Sequence, residues 1–245
     1  MTGFNIRRLA MGAAAVAFSV GMAGAAYATP IAAYSTDGGS SFTDLTLGAG
    51  TTIGGITTYS FSGNFGSFGI SGNIGTNYPG TPGQAQIVSS AVQLANTSSS
   101  TASIIFAFSD GGFSAPTAPP ILQLNSHIGG TVNTASPANT MSFLSCVTPG
   151  QSTPTTSCSG GTSSAAGTPD ITTANSFQND QYLLFSSLNG PYALTELMNL
   201  QLGGNAAIGF QANSTLAYVP EPMSVALMGV GLLGLTIVYR RRRQA

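Results

Sequence analysis

Residues 102–110 read ASIIFAFSD and carry the clearest structural signal in this chain of 245 residues. Ile104, Phe106 and Phe108 alternate along one side, and the residues between them include another isoleucine and an alanine. Alternation with a period of two residues is typical of a β-strand. Because both sides are apolar, we expect this strand to lie in the middle of a sheet and to be covered on both faces.

The same alternation recurs along the chain, and we expect further strands at 42–47, 57–62, 65–71, 86–95, 121–128, 140–146, 181–188, 194–202 and 206–216. Glycine-containing turns separate several of them. Gly63-Asn64 and residues 110–113 predict turns, and residues 203–205 predict a hairpin between the last two strands. Residues 194–198 also fit the spacing of a helical turn.

Short strands with frequent turns and no convincing soluble helix predict an all-β fold. We expect an antiparallel β-sandwich over residues 29–218, with a jelly-roll topology first and an immunoglobulin-like topology second. Residues 146–176 consist almost entirely of Ser, Thr, Gly, Pro and Ala. We expect this part to form a long exposed loop.

The start of the chain is typical of a secretory signal peptide, here residues 1–28. Arg7 and Arg8 precede a twelve-residue apolar segment, and Ala26 and Ala28 form a small-x-small cleavage site. We therefore expect signal peptidase to cut after Ala28 and to leave Thr29 as the first mature residue. The alternative is an uncleaved N-terminal anchor.

The charge of the mature domain differs from that of the whole chain. Residues 29–219 contain six acidic residues and neither Lys nor Arg, which gives a formal charge of −6 when the one histidine is neutral. A domain without a basic patch is a poor partner for nucleic acid or for an anionic membrane surface. It also contains no Lys or Arg for a side-chain salt bridge, so burial and hydrogen bonds must stabilise it.

Cys146 and Cys158 are the two cysteines of the chain. In an exported protein this close pair predicts a disulfide. The bridge would close a thirteen-residue ring and contribute on the order of 3 kcal/mol in the chain-entropy model. Two cysteines and one histidine are too few for a structural zinc site.

The C-terminal end has three parts in a fixed order. It begins with Val219, Pro220, Glu221 and Pro222. An apolar run at 223–239 follows, which as a helix would span roughly 26 Å and so cross a membrane at the short end of the usual length. The chain then carries the basic cluster Arg240, Arg241, Arg242 and Arg243, which the positive-inside rule places in the cytoplasm.

This order at 219–245 resembles the PEP-CTERM sorting signal of exported proteins in Gram-negative bacteria. The resemblance implies recognition and processing by an exosortase, an integral-membrane protease-transpeptidase. It also implies export across the inner membrane, transient anchoring by the C-terminal helix, and delivery to the cell surface or extracellular space. Many members have Ser or Thr directly after the tripeptide, whereas here Met223 precedes Ser224. The alternative is a simple tail anchor.

The mature domain shows no catalytic motif, cofactor site or metal-ligand cluster. His127 lies among Gln123 and Asn125, and we expect it to face solvent on the polar side of its strand. A Ser-His-acid triad would need this histidine, but no nucleophile elbow is present. The Asp-Gly-Gly turns that begin at Asp37 and Asp110 could lend oxygens to Ca²⁺, although Asp-Gly is first of all turn chemistry.

Three functions fit these observations. The first is a non-catalytic surface or extracellular-matrix protein, with exopolysaccharide as an expected associate. The second is a carbohydrate-binding module, which would need a row of exposed aromatic residues such as Tyr59, Tyr78, Tyr182 and Tyr192. The third is a hydrolase, which would need His127 beside an acid in a cleft.

Overall fold

The computed structural model describes residues 29–117, 121–161 and 163–219. The signal peptide, Pro220 to Pro222, the apolar run 223–239 and the four arginines 240–243 lie outside these residues. The described part contains the strands β1 (Ile31–Ser35), β2 (Thr43–Asp44), β3 (Thr51–Ile53), β4 (Ile56–Phe65), β5 (Phe68–Thr76), β6 (Gln84–Asn96), β7 (Ala102–Phe113), β8 (Ile121–Thr134), β9 (Thr140–Pro149), β10 (Ser163–Gly167), β11 (Ser176–Phe185), β12 (Tyr192–Leu202) and β13 (Ala207–Val219). No helix long and apolar enough to cross a membrane occurs among the described residues.

Two antiparallel sheets pack as a β-sandwich, as the sequence predicted. The six-stranded sheet has the order β10-β9-β12-β7-β1-β2, and the seven-stranded sheet has the order β11-β8-β13-β6-β5-β4-β3. From β6 onward the chain pairs as one long folded hairpin, in which β6 pairs with β13, β7 with β12, β8 with β11 and β9 with β10. This is jelly-roll topology, the first of the two predicted arrangements. The first five strands extend the two sheets beyond β7 and β6.

Strand β7 is central, because it lies between β1 and β12 and its side chains form part of the core. Phe106 and Phe108 are fully buried, and the ring of Phe108 lies 5.3 Å from Phe61 of the opposite sheet. Ala107 on the other side is also buried. The prediction from residues 102–110 is confirmed. The apolar surface that both sheets bury is the main stabilising contribution.

The predicted hairpin at 203–205 is wrong. β12 pairs with β7 and β9, whereas β13 pairs with β6 and β8 in the other sheet. The turn therefore carries the chain from one sheet to the other. A jelly roll pairs each strand with its counterpart across the folded hairpin, so neighbours in sequence need not be neighbours in a sheet. The helical turn considered at 194–198 is also absent, since these residues belong to β12.

Two predicted turns are displaced or absent. The β4–β5 hairpin turns at Gly66-Ser67, because Phe65 pairs with Phe68 and the alternation of β4 continues through Gly63-Asn64. Gly66 has a φ of 60°, which glycine adopts without steric cost. Residues 110–113 form the end of β7 and are not a turn. A Cβ on Gly111 would lie 2.2 Å from the backbone of Thr153, so glycine permits a close approach there.

The exposed loop predicted at 146–176 is interrupted by strands, although residues 150–161 and 168–175 lie outside them and are mostly exposed or half-buried. β9 continues to Pro149, and β10 pairs with it in the middle of the segment. Residues 150–161 form the tip of the folded hairpin and pack over the end of β7, where the Thr155 amide donates to Ser109 Oγ at 3.0 Å. Serine and threonine hydroxyls supply hydrogen bonds that the composition does not reveal. A disulfide joins Cys158 of this tip to Cys146 of β9, with their Cα atoms 5.8 Å apart.

Candidate functional site

The outer face of the seven-stranded sheet is built from amide side chains. Along β8 and β13 the even-numbered residues enter the core and the odd-numbered residues face outward, apart from the irregularities near Gly130 and Ala207. The outward residues on β11, β8, β13 and β6 include Gln178, Asp180, Tyr182, Leu184, Gln123, Asn125, His127, Gln211, Asn213, Thr215, Gln86 and Gln93. This face therefore presents many hydrogen-bond donors and acceptors and very little charge.

An open depression of about 380 Å³ lies on this face, and its lining includes the glycines Gly129, Gly130 and Gly209. Gly129 on β8 is paired with Gln178 on β11 and with Gln211 on β13. Gly209 on β13 is paired with Gln93 on β6. We call this site, with His127 at its edge, the glycine trough. Each glycine removes a side chain between flanking residues, but Gly129 and Gly209 are themselves buried, and the carboxamide of Gln93 lies over Gly209.

His127 and Asp180 form a cross-strand pair at the edge of the trough. They are directly opposite each other on β8 and β11, and His127 Nδ1 lies 2.6 Å from Asp180 Oδ1. Both side chains are solvent-accessible, at 36% and 68% of their full surface. The sequence predicted the outward orientation of His127 but provided no reason to pair it with an acid. Fifty-three residues separate the two, and only the β8–β11 register brings them together.

Within the described ranges, no serine, threonine or cysteine side chain hydrogen-bonds to the ring of His127, and no group of three metal-ligating side chains occurs. Hydrolysis by such a pair would also require a nucleophile or a second carboxyl group beside it. What the arrangement can do is accept and donate hydrogen bonds at the edge of the trough.

Amide side chains elsewhere on this outer face are partly organised by one another. Gln86 Nε2 donates to Asn213 Oδ1 at 3.1 Å, and Thr215 Oγ1 donates to the same oxygen at 2.9 Å. On β8, Gln123 Nε2 donates to Asn125 Oδ1 at 2.5 Å. A carboxamide has two N–H donors and two lone pairs on its oxygen, so each of these groups keeps capacity for a ligand.

The four tyrosines do not form one row. Tyr192 is fully buried and donates a hydrogen bond to the carbonyl of Ala115 at 2.8 Å. Burial raises the pKa of Tyr192 well above its ordinary value. Tyr78 packs edge-on against Phe113, and Tyr59 is half-buried. Tyr182, on the outer face, is 67% exposed and is the one of the four that is available for stacking.

Two acids lie inside the sandwich, which the sequence did not indicate. Glu196 on β12 is fully buried and accepts a hydrogen bond from Ser214 Oγ at 3.0 Å. Burial raises the pKa of Glu196 to about 8, although the hydrogen bond from Ser214 opposes the shift. Burial likewise raises the pKa of Asp110 to about 7. Neither acid faces the trough, so neither supplies it with a second carboxyl group.

The second Asp-Gly-Gly segment, at Asp110, is strand and not turn, as described above. The first, at Asp37, is an exposed loop whose carboxylate accepts hydrogen bonds from the hydroxyls of Ser35 and Ser41. These bonds lower the pKa of Asp37, the one from Ser35 most strongly. The carboxylate is thus satisfied by its own loop.

Sequence reasoning missed the trough, although one signal was present. Gly129-Gly130 and Gly209 interrupt segments that otherwise alternate as strands. A glycine inside a strand pattern often marks a place where another backbone or a ligand approaches closely. The pairing that aligns these glycines across β8 and β13 is a property of the fold.

Comparison with known proteins identifies the end of the chain. Residues 219–243 match the PEP-CTERM protein-sorting motif. The chain therefore carries this motif, which implies processing by an exosortase and belongs to proteins that are exported and sorted to the cell surface. Of the motif, the structure describes Val219, the last residue of β13.

Comparison of the fold gives a distant likeness. One similar solved structure concerns carbohydrate-binding modules from the β-sandwich superfamily, with 9% sequence identity and a TM-score of 0.27. The alignment covers 76% of this chain and 84% of that chain. At this distance the likeness has no bearing on ligand or activity. The comparison with curated proteins found no match.

Proposed function

We propose that this protein is a non-catalytic component of the cell surface or extracellular matrix, and that it binds neutral exopolysaccharide in the glycine trough. After export across the inner membrane, residues 223–239 hold it in the membrane until an exosortase cuts near Pro220 to Pro222. The proposal of a polysaccharide ligand rests on the trough itself, a glycine-lined depression that Gln93, Gln178 and Gln211 border.

The chemistry of the trough suits uncharged sugars. Pairs of sugar hydroxyls donate and accept hydrogen bonds at once, and a carboxamide offers both functions on one planar group. A shallow site whose ligand keeps many contacts with water gives modest affinity per sugar, which repeated contacts along a polymer increase. The domain has a formal charge of −6 and neither Lys nor Arg, so it would repel an anionic polysaccharide.

Co-sedimentation tests this proposal. The exported protein is mixed with exopolysaccharide from its own producing cells, and the bound fraction is compared with that of Gly129→Val. The new side chain would fill the trough between Gln178 and Gln211, and we expect at least a tenfold loss of affinity, which corresponds to about 1.4 kcal/mol.

Ser62→Val is the matched control for this experiment. Ser62 is exposed on β4 of the same sheet, two strands beyond β6. Its replacement adds the same side chain to the same face without entering the trough, and binding should not change. Equal binding by Gly129→Val and the original protein would contradict the proposed site.

A hydrolase is the second candidate, and the pair of His127 and Asp180 favours it. The exported protein should therefore also be incubated with the same polysaccharide and with ester and peptide substrates, alongside His127→Ala. We expect no turnover from either protein. Turnover that disappears in His127→Ala would overturn the non-catalytic proposal and identify His127 as a catalytic residue.

A further inference from the structure

Exposed apolar side chains are concentrated at one corner of the seven-stranded sheet. The described residues include four large exposed hydrophobic side chains, and three of them lie on neighbouring β8 and β11: Ile121 at 47%, Tyr182 at 67% and Leu184 at 50% exposure. Leu184 is paired with Gln123, two residues from Ile121, and Tyr182 is paired with Asn125. All three face outward, and we call them the apolar corner.

The chain leaves the domain at this corner. Val219 ends β13 and is paired directly with Ile121. Three residues then separate Val219 from the apolar run that begins at Met223. An extended chain spans at most about 3.5 Å per residue, so Val219 lies within roughly 14 Å of the start of that run, and Ile121 on the adjacent strand is about 5 Å farther. Tyr182 lies level with Thr215, about 13 Å back along β13.

We infer that the apolar corner rests on the membrane surface as long as residues 223–239 remain attached and membrane-embedded. Leu184 and Ile121 would insert among the uppermost acyl groups, and Tyr182 would place its ring at the headgroup level, where tyrosine is enriched in membrane proteins. The short tether holds the corner at high local concentration near the bilayer, so weak apolar contacts suffice.

The charges around the apolar corner indicate which lipid headgroups it would contact. The neighbouring acid on this face is Asp180, which is paired with His127, and no Lys or Arg occurs in residues 29–219. An anionic surface would therefore gain no electrostatic attraction, and we expect contact with zwitterionic headgroups. This inference does not depend on polysaccharide binding, because the corner and the trough use different residues.

The contact would orient the protein on the membrane. Gly129 lies eight residues beyond Ile121 along β8, a distance of roughly 26 Å. The trough would then lie on the same face of the sheet, displaced from the membrane contact by that distance along β8. The contact would restrict the orientations in which the domain, with Val219 at the start of the sorting motif, approaches a membrane-embedded exosortase. Cleavage would remove the tether and release the corner.

Spin-label accessibility on the full chain tests the inference. The chain is placed at one copy per phosphatidylcholine nanodisc, and a nitroxide is attached at Leu184→Cys or at Tyr182→Cys. Thr131→Cys, exposed on the same face beside the trough, is the control. We expect the ratio of collisions with oxygen to collisions with a water-soluble relaxant to be severalfold higher at the two corner positions.

Each other outcome overturns the inference. Equal ratios at corner and control positions would show that the corner stays in water. Protection that appears only with two copies per disc would assign the corner to a second copy of this chain. Protection that appears only after an exosortase is added would assign it to that enzyme. Two corner positions are labelled so that a folding defect in one variant does not decide the result.

Discussion

On the outer face of β13, Gln211 and Asn213 reach toward solvent, whereas Ser214 of the same strand hydrogen-bonds to the buried Glu196. The outward groups can exchange water for a ligand at little cost. The inward groups are shielded from water, so no water molecule replaces a lost partner. A buried polar group without a partner lowers the free energy of unfolding by about 1–3 kcal/mol. Polar residues on the outer face of this sheet are therefore available for binding, whereas those on its inner face determine stability.

The largest expected effect is the pH dependence of stability caused by Glu196. Its pKa is about 8 in the folded state against 4.5 for the free side chain. Between these values the folded protein keeps the proton and the unfolded chain loses it, so stability falls as pH rises and levels off above about pH 8. The full loss is on the order of 5 kcal/mol. Thermal unfolding of the exported protein between pH 4.5 and 8.5 measures it.

The variant Glu196→Gln isolates this effect, because the amide can keep the bond to Ser214 but does not ionise. We expect a flatter profile and a higher Tm than the original protein at pH 8. Asp110, with its raised pKa, contributes in the same direction and leaves a residual slope. Asp44→Asn makes the same change at an exposed position and should leave the profile unchanged. Parallel profiles for Glu196→Gln and the original protein would show that the interior does not hold a neutral carboxyl group.

The next effect separates two adjacent glycines. A Cβ on Gly130 would lie 2.1 Å from the carbonyl oxygen of Gly209, so Gly130→Ala forces the backbone to move and should cost roughly 2–3 kcal/mol. A Cβ on Gly129 would meet nothing closer than His127 Nε2, at 3.3 Å, and this exposed ring can shift. The free energy of unfolding of Gly129→Ala should therefore lie within about 0.5 kcal/mol of that of the original protein. Urea unfolding measures the free energy of unfolding of both variants. Similar losses of stability in the two would contradict this prediction.

The smallest effect concerns the exposed pair of His127 and Asp180. Exposed ion pairs contribute about 0–1 kcal/mol, so Asp180→Asn should change the free energy of unfolding by less than about 1 kcal/mol. The same variant alters a hydrogen-bonding group beside the trough and should weaken polysaccharide binding by a few-fold. Urea unfolding and co-sedimentation measure the two quantities on one preparation. A loss of stability above 2 kcal/mol would show that polar groups on the outer face contribute to stability as strongly as the buried ones do.

The sequence alone predicted the features that rest on local pattern. The alternation in residues 102–110 predicted a central strand, the recurrence of short strands predicted the sandwich, and residues 219–243 predicted the sorting motif. Each of these follows from residues close together in the chain, because side-chain period and segment composition act over short distances.

Only the tertiary structure decided which strands pair, and most of the functional geometry depends on that choice. The folded hairpin places β12 and β13 in different sheets, turns residues 150–161 back onto β7, and sets Gly129 beside Gln178 and Gln211. The same pairing joins His127 to Asp180 and Ile121 to Val219. The physical reason is that a strand's pattern specifies which of its faces is apolar but not which neighbour it hydrogen-bonds, since backbone donors and acceptors are the same in every strand.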